Sequence, residues 1–122
     1  MVEFALVLPI FLLLVFAITE FGRIWMIQHI LTTASRSGAR VGILPSATQG
    51  DVTNAVNKYL NAANLDPADC STTPSATVGT SGSSGDDVSV TVNYNFEVLS
   101  GSAIPQLQGT LVLTSTTTMR HE

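Results

Sequence analysis

Catalysis requires side chains that trade protons, attack an electrophile or hold a metal, and such side chains are sparse in this chain. Its two histidines are His29 and His121, and neither has a carboxylate or hydroxyl partner at a spacing that suggests a site. Each therefore reads as a solvated or interfacial side chain. Asp86 and Asp87 follow a glycine, a pattern better suited to a turn than to acid–base work. Asp66 and Asp69 could touch a cation, but their loop lacks further oxygen ligands at regular spacing. Cys70 stands alone, which excludes an intramolecular disulfide, a four-thiolate zinc site and a haem-attachment motif, and leaves a buried or tolerated thiol or an intermolecular bridge. Phe4, Phe11, Phe16, Phe21 and Trp25 could suggest an electron path, yet packing in an apolar helix accounts for them. These residues predict neither an enzyme nor a resident cofactor or metal.

The elements around them are more informative, beginning with the first forty residues. Phe4 to Ile18 is an almost unbroken apolar run, with Glu3 the one charge before it and Glu20 the first behind it. The roughly sixteen residues between those charges make a helix of about 24 Å, slightly short of the roughly twenty that cross a bilayer comfortably. Phe21, Ile24, Trp25, Met26 and Ile27 carry the apolar character past Glu20 and Arg23, which allows a tilted span with those charges and Trp25 at the interface. A cleaved signal peptide fits less well, because no basic region leads the run and no small-residue cleavage pattern follows Ile18. Pro9 removes one helical hydrogen bond, at a cost of about 3 kcal/mol in water, so the helix is expected either to begin near Pro9 or to kink there.

Composition agrees with an apolar environment for part of the chain. Of 122 residues, 45% are apolar and 11% charged, against a usual charged share of about 25%. The net charge of −4 leaves no electrostatic footprint for nucleic acid. Arg23, Arg36 and Arg40 lie behind the apolar run, so the positive-inside rule applied to these residues alone would put the remainder of the chain in the cytoplasm, and a basic leader would reverse that.

Past the apolar run, Ile27, Ile30, Leu31, Ala34 and Gly38 recur at spacings of three and four, while Gln28, Thr32, Ser35 and Arg36 fall on other faces. The helix thus continues as an amphipathic one and stops near Gly38 to Gly42, with arginines in its last turns. Pro45 to Gly50 reads as a linker. Asp51 stands where an N-cap should be, before an apolar face of Val52, Ala55, Val56, Tyr59, Leu60 and Ala63 that ends at Asn64 and Pro67. Asp66 to Asp87 is rich in Ser, Thr, Gly and Pro, and a short strand is expected at Ala76 to Thr80. Ser71, Thr72, Thr73, Ser81, Ser83, Ser84, Asp86 and Asp87 are the expected exposed loop. Val88, Val90, Val92, Tyr94 and Phe96 alternate with polar residues, the period of a half-buried strand, and β-branched residues from Thr110 to Met119 suggest another. The expected fold is α+β: a long N-terminal hydrophobic helix over 1–42, and a small head over 43–122 with one short helix and a roughly three-stranded antiparallel sheet.

Three motifs in order carry a resemblance. Val2-Glu3-Phe4-Ala5-Leu6-Val7-Leu8-Pro9, then Glu20-Phe21-Gly22-Arg23, then Ala34-Ser35-Arg36-Ser37-Gly38-Ala39-Arg40, resemble the N-terminal signature of the TadE-like pilins of tight-adherence (Flp-type) pilus systems. The alternating strand and the closing Met119-Arg120-His121-Glu122 are similar to that family's tail. The resemblance implies a type IV pilin-like precursor, cut by a prepilin peptidase and moved by pilus assembly machinery from the inner membrane into an extracellular filament of its own copies or related pilins. Glu3 is similar to the acidic residue such pilins commonly place fifth, where it neutralises a neighbour's amino group; counted from Met1 it stands third. A carboxylate in an apolar setting is costly unless paired, which fits that role. Ala5, Leu8, Leu12 and Val15, with Phe4 and Pro9, would form the packing surface. Glu20 and Arg23 could pair along the helix or reach neighbours, with Trp25 beside them. The alternative is a single-pass envelope protein whose head binds a partner without polymerising.

Overall fold

The computed structural model describes residues 1–75, 78–79, 84–98 and 109–121. Helix α1 (Val2–Gly42) is one continuous helix of 41 residues, and it is followed by α2 (Gln49–Ala62), a 3₁₀ turn (Pro67–Asp69), β1 (Cys70–Pro74), β2 (Asp87–Glu97) and β3 (Thr110–Arg120). The α+β expectation holds. The strands form an antiparallel meander in the order β1-β2-β3, with Val92 level with Thr72 on one side and Ser115 on the other.

Helix α1 does not wait for Pro9. It starts at Val2 and runs through the proline, with Glu3 in its first turn, where a carboxylate favours the positive end of the macrodipole. Gly42 ends it.

Helix α2 begins two residues before the expected cap. Thr48 is the N-cap, its Oγ1 accepting from the Asp51 N–H, while Asp51 accepts in return from the Thr48 N–H at 2.9 Å. Thr-Gln-Gly-Asp is thus a reciprocal capping box in which Asp51 occupies the third helical position. Asn64, in the left-handed region at φ 61°, follows its end. Val52, Val56 and Leu60, at helical spacing, face inward.

One face of the sheet is covered by α2 and by the rear of α1. Val88, Val90, Val92 and Phe96 of β2 meet Ile27, Leu31, Ala34 and Ala39 of α1 and the three buried residues of α2 in a single core. Small residues permit the close approach. A Cβ on Gly38 would lie 2.7 Å from Val56 Cγ2, and one on Gly42 would lie 2.8 Å from Val88 Cγ1.

The third strand is a correction. β1 lies at Cys70–Pro74, so Ser71, Thr72 and Thr73 are strand residues rather than loop residues. An edge strand needs only backbone pairing to one neighbour, so it can dispense with alternating apolar residues, and Pro74 is tolerated there. Of the expected strand at Ala76 to Thr80, residues 76, 77 and 80 lie outside the described residues, and Val78 and Gly79 are not in a strand. Gly79 has φ +64°, and a Cβ there would collide with the Ala47 carbonyl, so both backbone and space require glycine.

Candidate membrane and assembly surface

Helix α1 is two surfaces in series. From Val2 to Thr19 every residue is exposed, and the 18-residue window apolar enough to cross a membrane has none of its residues buried inside the molecule. A core helix would be covered by its own protein; this one is not. Phe4, Ala5, Leu8, Pro9, Leu12 and Val15 all lie on that uncovered half, together with Glu3. Thr19, its one hydroxyl, donates back to the Val15 carbonyl at 2.9 Å, which suits an apolar medium.

The change comes at Glu20. Its carboxylate is buried and accepts from Arg23 Nη1 at 3.4 Å, and the Arg23 guanidinium lies 5.0 Å from the centroid of the buried Phe96 ring. Arg23 thereby joins α1 to β2, the salt bridge being supplemented by a cation–π contact. Nothing in local spacing announced Phe96 as its partner, because the contact spans most of the chain. Trp25 is exposed and stacks in tilted fashion between Phe21, at 6.3 Å, and His29, at 5.7 Å. His29 is exposed, as expected.

Above this junction the helix is bound to the head. Ser35 was expected on an outer face, yet it is fully buried: its hydroxyl lies 2.6 Å from Thr117 Oγ1 and 3.4 Å from Ser115 Oγ, and donates to the Thr32 carbonyl. Polarity suggested water, but hydroxyl partners on β3 satisfy the burial. The Gln28 amide donates to the Thr114 carbonyl at 3.1 Å. The segment from Ala34 to Arg40 thus works as a close-packing stripe, with Ala34, Ser35, Gly38 and Ala39 inward and Arg36 and Arg40 outward.

The expected loop residues separate. Ser71 and Thr73 are exposed and Thr72 half-buried in β1, Ser84 is exposed in a turn, Asp86 is half-buried, and Asp87 opens β2 opposite Arg120. Ser81 and Ser83 lie outside the described residues. His121 is a further correction: it is buried, its backbone paired with Gly85 and Asp86, and its Nε2 has no hydrogen-bond partner among the described residues. The signal missed was its place at the end of β3, where the strand carries it against the turn. Burial, aided by the charges of Asp69 and Asp66, pushes the Cys70 thiol up to about 11, so it stays protonated near neutral pH. Among the described residues no three His, Cys, Asp or Glu side chains gather as a metal site.

Residues 1–40 match the family described as TadE-like protein. No curated protein and no solved structure matches the chain. The matched segment coincides with the exposed apolar half of α1 and nearly all of its packed half. Together with that helix, the match fits a membrane-anchored protein associated with a Tad pilus.

Proposed function

We propose that the chain is a structural subunit of a type IV pilin-like surface filament of the Tad or Flp type, assembled through the front half of α1 and supporting surface attachment. The observation that carries this reading is the wholly exposed apolar run from Val2 to Thr19, joined without a break to a half that its own head covers. An apolar surface of that length needs a medium. Lipid supplies it before assembly, in the inner membrane, and the same helix of neighbouring copies or related pilins supplies it afterwards.

In this reading Phe4, Ala5, Leu8, Pro9, Leu12 and Val15 pack between subunits. Glu3 is the register contact, since a carboxylate moved into such a bundle must find a cation and a neighbour's amino terminus is one. Glu20, Arg23 and Trp25 mark the upper limit of the packed zone. Ser84 and Asp87 lie on the exposed head. Prepilin peptidase and the pilus assembly machinery enter as partners through the family resemblance.

Glu3→Ala tests the contact. Sheared surface material should contain far fewer filaments, while the variant remains membrane-inserted with a folded head. Normal filament yields from it would end the role of Glu3. If the unaltered chain itself is found only as a membrane-bound monomer, the envelope protein that does not polymerise is the better reading.

A further inference from the structure

The lower rim of the head carries two apolar side chains, one on each face of the sheet, that the core does not use. Leu111 is 44% exposed although it shares a strand face with the buried Leu113 and Ser115, and Val112, on the opposite face, is 56% exposed. Their height on the molecule can be fixed from two contacts. Gln28 meets Thr114, and Ser35 meets Thr117. Seven helical residues rise about 10.5 Å and three strand residues about 10 Å, so β3 and the rear of α1 climb together. Three strand residues below Thr114 is Leu111, and seven helical residues below Gln28 is Phe21.

Leu111 and Val112 therefore stand level with Phe21 and just below Trp25, both exposed aromatics. Phe21 also shares a face with Gln28, because seven residues turn the helix almost two full times. The helix from Phe4, the first residue of the apolar run, to Phe21 is about 27 Å long, close to the thickness of a bilayer's hydrocarbon core. The rim begins where that thickness ends.

We propose that the head rests on the membrane through this collar, with Phe21, Trp25, Leu111 and Val112 set in the headgroup and acyl boundary of a phospholipid bilayer. Continuity selects lipid as the occupant: the rim adjoins the end of the membrane-crossing segment at its own level, where aromatic and aliphatic side chains partition favourably. The charges at this height are compatible with that depth. Glu20 and Arg23 are paired with each other, and exposed Glu97, opposite Thr110, can keep its carboxylate among the headgroups. The inference rests on membrane anchoring and not on filament formation.

Spin labels at two exposed positions on one face of β3 test it in the full chain, with Cys70→Ser to remove the native thiol. Val112→Cys reports the rim and Thr118→Cys the far end, and neither disturbs the core. In phosphatidylcholine–phosphatidylglycerol vesicles, collisions with a water-soluble nickel chelate should be several-fold rarer at position 112 than at 118, and collisions with oxygen more frequent. Equal nickel accessibility at the two positions would overturn the seating. Spin–spin broadening at 112 that grows with the protein-to-lipid ratio would overturn it in favour of a second copy. Filament yield is read separately, so either result leaves the assembly reading to its own test.

Discussion

The front and rear halves of α1 share one backbone but solve different problems. The front, Val2 to Thr19, is exposed along its whole length and contains no residue that the head touches closely enough to bury. The rear buries Ile27, Leu31, Ala34, Ser35, Gly38, Ala39 and Gly42 against the sheet and α2. What separates them is the size and polarity of the side chains, not helix propensity. Large aliphatic residues on every face suit a medium that surrounds the helix, whereas a stripe of small residues suits one rigid partner approached closely. The same element can therefore serve as anchor and as core.

The widest gap between the halves is in what a truncation costs. Leu31 is 0% exposed and Leu13 is 57% exposed. Leu31→Ala should destabilise the head by roughly 2–5 kcal/mol, through lost transfer energy and a residual cavity. Leu13→Ala should change head stability by less than about 0.5 kcal/mol and act on membrane or subunit packing instead. Hydrogen exchange of the β2 amides, with the chain in micelles, reads both. Equal loss of protection would mean that the two halves form one cooperative unit and the contrast is false.

A finer contrast uses one substitution at two glycines. Around Gly22 nothing beyond the adjoining helix backbone lies within 4 Å of a would-be Cβ, while at Gly38 the nearest such atom is Val56 Cγ2 at 2.7 Å, a stiff side chain itself packed in the core. Gly22→Ala should stabilise the helix by about 1 kcal/mol, the ordinary propensity gain. Gly38→Ala should cost roughly 1–3 kcal/mol, overpacking outweighing that gain. Thermal or denaturant unfolding of the two variants gives the signs directly, and a stabilised Gly38→Ala would show that the stripe is not tightly packed.

The legibility of these features in the sequence depends on how local each signal is. The apolar run, the strict alternation of β2 and the face of α2 are written in neighbouring residues, so periodicity alone places them. β1 is not legible as a strand because its support is the backbone of β2, with Thr72 opposite Val92, and an edge strand of hydroxyl residues looks like a loop in sequence. The burial of Ser35 is not legible locally because its partners Ser115 and Thr117 lie about eighty residues away. The pairing of Glu20 with Arg23 was open to sequence at i, i+3, but the Phe96 ring that completes it was not. At the exposed half of α1 the sequence states the character of the surface directly, because every residue that forms it is a near neighbour in the chain.

The smallest effect concerns how the two helices begin. α1 has Met1 as its N-cap and no side-chain cap, whereas α2 starts in a complete capping box. A helix of fourteen residues after a turn needs its first amides satisfied. Thr48→Ala should cost about 1 kcal/mol of head stability, with helix α2 fraying first. The Thr48 backbone N–H and then its hydroxyl, both donating to Asp51, hold that carboxyl below its ordinary value of 3.8. A depressed folded-state value means that the ionised group favours the fold: the contribution is complete above about pH 3.8 and is lost as the pH falls through the folded-state value. A carbon-13 titration of the Asp51 carboxyl should therefore give a midpoint below 3.8, and Thr48→Ala should move it part of the way back, since the backbone donor remains. Asp51→Asn should remove this part of the acid sensitivity while leaving α1 unaffected. A midpoint at or above 3.8 would mean that the box is open in solution, and the two helix starts would then differ less than their geometry indicates.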